Sequence, residues 1–312
     1  MGLNQTVRCM GLSFQNPVLV ASGTFGYGEE YYDIMPFSSL GGLVTKTITA
    51  ARREGNPPPR IVETDAGMLN SIGLANVGLE CFLAEKLPWI AQHAGGARVI
   101  VNIAGFSVEE FVEVAVAVGS SPGVDALEIN LGCPNVRAGY IHFGADPQSV
   151  RKVISGVRKK VNLPVIAKLT PNVTDIASLA QVAVSAGADA LSLINTLPGM
   201  KIDVSVRRPV LGMGFGGLSG SAIRPVGVAC VYKVYQHMQG MGARVPVIGI
   251  GGIGCGTDAL EYILAGASLV QVGTANFLHP QAPGNVVREL AEYCETEGVE
   301  SISDLVGLAH ER

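Results

Sequence analysis

Charged residues are few in this sequence, and the absence of a basic excess, of long apolar runs and of a signal peptide excludes several classes of protein. Only 15% of the 312 residues are charged and the net charge is −4, so the chain lacks the basic excess with which proteins bind nucleic acid. It has no apolar run of the ~18 residues that cross a bilayer, and residues 1–8 lack the apolar core of a signal peptide. We therefore expect a cytoplasmic protein with neither a nucleic-acid partner nor a membrane partner.

Metal-binding and disulfide patterns are also missing. The six cysteines stand at positions 9, 81, 133, 230, 255 and 294 and form no C-x-x-C pair, and there are only five histidines. Without clusters of histidine, cysteine and carboxylate at ligand spacing, we expect no metal site. A chain of this length needs no disulfides to stabilise its core, so most of the cysteines are expected to be reduced core residues.

What the sequence does contain is a regular alternation of strand-like and helix-like segments. The predicted strands are residues 18–22, 43–47, 98–103, 125–131, 165–169, 190–195, 247–251 and 269–273. The predicted helices are residues 29–34, 79–93, 108–118, 146–160, 174–186, 221–239, 257–265 and 286–297. Eight strand–helix units predict a (β/α)₈ TIM barrel, a single domain over residues 1–312. An open, doubly wound α/β sheet is the alternative.

Several segments depart from the alternation. Residues 6–14 suggest a small N-terminal hairpin and residues 301–307 a final helix. Long loops follow strands 2, 4 and 6, and two of them, residues 48–77 and 196–220, are rich in glycine and proline and show no periodicity. Long irregular loops in a compact domain are usually functional.

Polar side chains stand at or near the ends of six predicted strands. They are Ser22, Lys46, Asn102, Asn130, Lys168 and Asn195. In a barrel the carboxyl ends of the strands form one rim, where active sites lie. Because burying a lysine without a partner costs several kcal/mol, this rim is expected to bind an anionic ligand rich in hydrogen-bonding groups.

Glycines after the last two strands indicate where a phosphate would bind. Residues 249–254 match the G-x-G-x-x-G pattern, but no acidic residue follows about 20 positions later as in a dinucleotide site. Paired with Gly273 and Thr274, they instead predict the phosphate site common after strands 7 and 8 of barrels. The phosphate could belong to FMN, with Lys168 offsetting charge near the flavin N1–C2 edge. It could also belong to pyridoxal phosphate, with Lys46 or Lys168 forming the Schiff base.

One cysteine differs from the others in its surroundings. Cys133 follows the fourth predicted strand, with Asn130 before it and Asn135 after it. Pro134 fixes its own φ and restricts the residue before it, so the thiol is held stiffly beyond a strand end. A thiol there can act as a nucleophile or a base, or simply fill space.

These motifs together resemble one known family, the dihydroorotate dehydrogenases. The motifs are residues 21–23, 46–47, 70–74, 130–135, 194–196 and 216–220, with the two glycine sites, and they keep their order and spacing over essentially the whole chain. Residues 26–33, 87–89, 195–208 and 273–277 are most similar to class 1B. That class implies a catalytic subunit with one FMN per chain that passes electrons to a partner subunit carrying FAD and a [2Fe–2S] cluster, and then to NAD.

The resemblance also implies a role for individual residues. FMN would be contacted by Ser22, Lys46, Thr47, Asn102, Asn130, Lys168, Ile194, Gly220, Gly251, Gly252, Gly273 and Thr274. Dihydroorotate or orotate would be contacted by Lys46, Asn70, Ser71, Ile72, Gly73, Leu74, Asn130, Asn135, Asn195 and Thr196. Cys133 would remove the C5 proton while the C6 hydride passes to flavin N5, a step of pyrimidine (UMP) biosynthesis. The class further implies a homodimer of this chain within a heterotetramer.

The sequence departs from the family at two positions in the loop that carries Cys133. Gly132 stands where the family usually has serine, and Tyr140 where it commonly has a second glycine.

Three alternatives stay open: an FMN enzyme acting on another pyrimidine, a class 1A-like enzyme with a different electron acceptor, and a non-catalytic barrel that binds a phosphate ligand.

Overall fold

A closed barrel of eight parallel strands forms the centre of the computed structural model, which describes residues 4–132 and 144–311. Its strands are Val18–Val20, Gly42–Val44, Arg98–Ile103, Ala126–Asn130, Val165–Leu169, Ala190–Leu193, Val247–Ile250 and Leu269–Val272. Each strand pairs in parallel with the next along the chain, and the eighth pairs with the first. This confirms the predicted (β/α)₈ barrel and excludes the open sheet.

Helices surround the barrel and connect successive strands. The α-helices are Leu79–Cys81, Leu87–His93, Val108–Gly119, Pro147–Arg158, Ile176–Ser185, Arg224–Gly240, Gly256–Leu264, Ala275–Leu278 and Ala282–Glu297. Two begin at predicted caps: the side chain of Asp146 accepts from the Ser149 N–H, and that of Asp175 accepts from the Ala177 N–H. Within residues 4–132 and 144–311, none of the helices has the length and apolarity to cross a bilayer.

The predicted helix at residues 29–34 is wrong. The chain there forms turns, followed by a short 3₁₀-helix, Phe37–Ser39. Gly28 has a φ of 95°, and a Cβ at this position would lie 2.3 Å from the Phe37 ring. The glycine therefore lets the chain turn back tightly over an aromatic cluster, in which Tyr31 stacks on Phe25 with their ring centroids 4.3 Å apart.

The helix predicted over residues 79–93 contains a π-helical segment, Phe82–Lys86, between its two α-helical parts.

At the ends of the chain, the predicted hairpin is present as strands Val7–Cys9 and Leu12–Phe14. The predicted final helix is a 3₁₀-helix, Ile302–Leu305.

The two insertions predicted to be irregular are instead paired with each other. Their strands Ile61–Thr64, Gly67–Asn70, Gly216–Ser219 and Leu197–Gly199 form one antiparallel sheet, with the first strand at one edge and the last at the other. A small hairpin, Ile202–Asp203 with Arg208–Pro209, extends from it. Since Asn70 pairs with Gly217, this sheet depends on contacts between segments that are far apart in the chain.

Candidate active site

A cavity lies at the carboxyl ends of the barrel strands, between the strand ends and the sheet formed by the two insertions. Its empty volume is about 1170 Å³, part of which is open to solvent. Ser22 and Lys46 line it from the barrel, and Met68 and Asn70 from the sheet. A concave space lined by both apolar and polar side chains at this end of a barrel is where small-molecule ligands and cofactors bind.

The structure brings most of the sequence-predicted residues together in this cavity. The predicted FMN contacts among its lining residues are Ser22, Lys46, Thr47, Asn130, Lys168, Ile194, Gly220, Gly251, Gly252, Gly273 and Thr274. The predicted substrate contacts among them are Lys46, Asn70, Ile72, Gly73, Leu74, Asn130, Asn195 and Thr196. Cys133, Asn135 and Tyr140 lie outside the described residues.

Two predicted contacts, Asn102 and Ser71, do not line the cavity. Asn102 is fully buried in the barrel, where its Nδ2 donates to Glu128 Oε1 at 2.6 Å. Its Oδ1 is buried and has no hydrogen-bond partner among the described residues. Ser71 is also buried, and its Oγ accepts from Asn56 Nδ2 at 3.1 Å.

At the phosphate site predicted from the glycines, two loops lie close together. Gly252 has a φ of 69°, and a Cβ there would lie 2.8 Å from the carbonyl oxygen of Gly220. Beside these loops, Thr274 Oγ1 donates to Ser219 Oγ at 2.9 Å. Glycine permits both this backbone conformation and the close approach of backbone to a ligand, so the loops can bring several N–H groups to one phosphate.

With these loops assigned, as predicted from the sequence, to the phosphate of FMN, we expect Gly252→Ala to weaken FMN binding at least tenfold. The new methyl group would force the two loops apart, and an L-residue at this φ costs about 1–3 kcal/mol. The measurement is FMN affinity by fluorescence titration of protein stripped of flavin. Gly254→Ala is the matched control, since a Cβ at Gly254 would meet only Asp258 Oδ2 at 3.6 Å and Ala275 Cβ at 3.9 Å. Equal FMN affinity in both variants would contradict the assignment of this loop to phosphate.

Two lysines give the cavity its positive charge, and they differ in their partners. Lys168 is 6% exposed, and its Nζ lies 3.6 Å from Glu128 Oε1. Lys46 forms no ion pair within the described part of the chain. Burial lowers the pKa of the Lys46 ammonium by more than the charge of Glu30 raises it, as expected when a partly buried cation has no ion-pair partner. Lys46 is therefore the cation available to an anionic ligand.

Asparagine side chains surround the same space. Asn195 Nδ2 donates to Asn130 Oδ1 at 3.2 Å, and Asn195 Oδ1 accepts from the Thr196 N–H at 2.8 Å. Asn70 Nδ2 donates to the Gly217 carbonyl oxygen at 3.3 Å. Each amide group has two donors and an oxygen that can accept twice, so these side chains can also bind a ring that carries both N–H and C=O groups.

Gly132, the first of the two expected departures from the family that the sequence resembles, is packed against residues of the site. A Cβ at this position would lie 2.9 Å from Thr170 Cβ and 3.4 Å from Asn195 Nδ2. A serine would therefore require Thr170 to shift, and the glycine at this position is matched to its neighbours.

Two groups of residues in or beneath the cavity are not among those predicted from the sequence. Glu128 and Gln271 are fully buried in the barrel, and Glu128 could have been found because it lies two residues before Asn130, on the same side of the strand. Ile61, Met68 and Phe277, which line the cavity, gave no comparable signal. Among the described residues, no group of three or more His, Cys, Asp or Glu side chains could hold a metal ion.

The sequence matches a known protein family over most of its length. The family model described as dihydroorotate dehydrogenase matches residues 4–294. The chain is 51% identical over 310 residues to the dihydroorotate dehydrogenase B (NAD(+)) catalytic subunit of Desulforudis audaxviator, covering 99% of both chains. It is 50% identical over 304 residues to the subunit of the same name from Pelobacter propionicus, covering 97% of this chain and 98% of that one.

A solved structure shares the fold. Dihydroorotate dehydrogenase from Eimeria tenella, crystallised with ferulenol, superposes with a TM-score of 0.81 at 24% sequence identity. The alignment covers 99% of this chain and 89% of the other. At this identity the similarity shows a common architecture.

Proposed function

Because the chain belongs to the dihydroorotate dehydrogenase family, we propose that it is an FMN-dependent enzyme that oxidises (S)-dihydroorotate to orotate in pyrimidine biosynthesis. One observation carries the proposal: a single cavity is lined by the phosphate-type glycine loops, by Lys46 and by the asparagines. The backbone N–H groups of the loops can bind the phosphate of a cofactor, and Lys46 with the asparagine amides can bind a small anionic ring.

The described residues fit FMN. Gly252 allows a close backbone approach to a phosphate, and Lys168 lies at the cavity surface, where it can offset charge on the flavin ring. Asn102 does not line the cavity, but its Oδ1 is a buried acceptor with no hydrogen-bond partner among the described residues, and its Nδ2 donates to Glu128. FMN, when bound, supplies the hydride acceptor. The family name favours it over pyridoxal phosphate, because a dehydrogenase reaction needs a redox cofactor.

Lys46 and the asparagines support dihydroorotate as the substrate. The substrate carboxylate can pair with the Lys46 ammonium, and its ring N–H and C=O groups match the side chains of Asn70, Asn130 and Asn195. A pyrimidine without a carboxylate would leave Lys46 unpaired in a half-buried position, which disfavours the alternative substrates.

Cys133 is proposed as the base. Asn130, three residues before it, ends the fourth barrel strand and lines the cavity, so Cys133 follows closely in sequence on a residue of the proposed substrate site. Removing a proton next to a carbonyl group requires a base whose pKa is not far above neutral, and a free thiol, at ~8.5, needs only a modest shift.

The names of the relatives, NAD(+)-dependent catalytic subunits, support a second subunit that carries electrons away. We infer that this partner holds FAD and a [2Fe–2S] cluster, with NAD as final acceptor, and that a homodimer of this chain forms the core of a heterotetramer. The cytoplasmic location stays a prediction from the sequence.

This proposal is tested by measuring the affinities of the FMN-loaded protein for orotate and for uracil over a range of pH. Orotate should bind at least tenfold more tightly than uracil, the same ring without the carboxylate. Orotate affinity should fall with rising pH, by up to about tenfold per pH unit, because the Lys46 ammonium loses its proton above its pKa. Burial lowers this pKa below the ordinary lysine value of 10.5, so the fall should begin at a lower pH than for an exposed lysine.

Lys46→Met is the control for the pH series, since it removes the titrating group and should give a weaker, flatter profile. Equal affinities for orotate and uracil would favour an enzyme acting on another pyrimidine. An unchanged pH profile in the variant would show that Lys46 does not bind the carboxylate.

A further inference from the structure

A fully buried carboxylate lies inside the barrel beneath the cavity. Glu128, on the strand Ala126–Asn130, is 0% exposed, and no other Asp or Glu of the described residues is buried to this extent. Side chains two residues apart on a strand point to the same side. Since Asn130 lines the cavity, Glu128 lies one layer further into the barrel.

Three strands supply the partners of this carboxylate. Glu128 Oε1 accepts from Asn102 Nδ2 at 2.6 Å and lies 3.6 Å from Lys168 Nζ. Glu128 Oε2 accepts from Gln271 Nε2 at 2.9 Å. Gln271 is on the eighth strand, opposite the fourth in the barrel, so both carboxylate oxygens are held and the side chain has little freedom to move.

Burying this carboxylate is costly, and its best compensation is Lys168. A buried charge is tolerated when it is paired and hydrogen-bonded. Lys168 in turn lines the cavity, so Glu128 is the group that fixes the ammonium at the cavity surface and balances its charge. The two other partners, Asn102 and Gln271, are neutral amides that orient the carboxylate without adding charge.

We propose that Glu128 is a positioning residue that acts through Lys168 to set the reduction potential of the bound FMN. The inference rests on the proposed function, because it requires FMN in the cavity. Two-electron-reduced FMN carries more negative charge than oxidised FMN, so a cation near the ring favours the reduced form. The paired carboxylate weakens that effect and holds the potential lower than Lys168 alone would.

The test is spectroelectrochemistry of the FMN-loaded protein. Glu128→Gln keeps the shape of the side chain and removes its charge, leaving Lys168 uncompensated. The equilibrium should shift at least tenfold toward reduced FMN, a rise of about 30 mV for a two-electron couple. Asp125→Asn is the matched control: it removes a carboxylate just before the opposite end of this strand, where Asp125 pairs with Arg98 at 3.0 Å, and should leave the potential unchanged.

Two further variants separate positioning from charge alone. Glu128→Asp keeps the charge but shortens its reach, so the potential should rise to a value between those of the wild type and Glu128→Gln. In a Lys168→Met background, Glu128→Gln should have little effect, because the group through which Glu128 acts is gone.

The outcomes are distinct. An unchanged potential in Glu128→Gln, or an equal shift with and without Lys168, would overturn the inference while leaving the proposed function intact. If Glu128→Gln cannot be recovered folded, a wild-type potential in Glu128→Asp would overturn it in the same way. A wild-type protein that binds no FMN would overturn the proposed function and this inference with it.

Discussion

Cys133→Ala is expected to slow the reduction of bound FMN by dihydroorotate by about 10²–10⁴-fold, the usual effect of losing a general base. Alanine cannot accept the substrate proton, whereas FMN, Lys46 and the asparagines remain to bind the ligands. The measurement is anaerobic stopped-flow absorbance of the flavin, with orotate affinity measured in parallel. The rate should fall while the affinity changes little.

The other cysteines provide the control for this variant. Burial raises the pKa of Cys9 to about 12 and also raises that of Cys230, Cys255 and Cys294, so these thiols are poor bases near neutral pH. Cys230→Ala, in the outer helix Arg224–Gly240, should therefore reduce FMN at the wild-type rate. A near-normal rate in Cys133→Ala would remove this thiol from the mechanism.

Lys46→Met should weaken orotate binding by about 30-fold or more. Removing one partner of a buried, hydrogen-bonded charge pair costs about 2–5 kcal/mol, and each 1.4 kcal/mol is a factor of ten in affinity. Among the described residues Lys46 forms no ion pair that would share that loss. Calorimetric titration of the FMN-loaded variant gives the affinity, with FMN content measured first because Lys46 is also a proposed flavin contact.

Lys201→Met is the matched control for this experiment. Lys201 is an exposed lysine of the insertion, and its Nζ donates to the Glu63 carbonyl oxygen at 2.9 Å, so its loss changes the net charge equally without touching the cavity. Orotate affinity within twofold of wild type in Lys46→Met would mean that the substrate carboxylate binds elsewhere.

The barrel and its rim could be predicted from the sequence because their signals are local. The strand Val165–Leu169 is an apolar run interrupted only by Lys168, and every residue of it is buried. Such runs, separated by helices with recognisable caps such as Asp146, predict parallel strands. Once the barrel is predicted, the carboxyl end of each strand locates the site.

The cavity wall could not be predicted in this way. Strand Gly67–Asn70 pairs with Gly216–Ser219, and such distant pairing, with glycines among the paired residues, leaves no periodic pattern in either segment. The turn region over residues 29–34 was missed for a related reason: the conformation depends on Gly28 packing against Phe37, a contact between loops. The local pairing of Gly67–Asn70 with Ile61–Thr64 forms one part of the wall, whereas contacts between distant segments assemble the whole wall and a contact between loops decides the turn.

Anaerobic titration of the purified, FMN-loaded protein with dihydroorotate shows whether the protein oxidises this substrate. The flavin absorbance near its visible maximum should bleach, with one orotate formed per FMN reduced. Dihydrouracil, which lacks the carboxylate, should leave the flavin oxidised. A flavin that stays oxidised with dihydroorotate, or a protein that does not bind FMN, would contradict the proposed function.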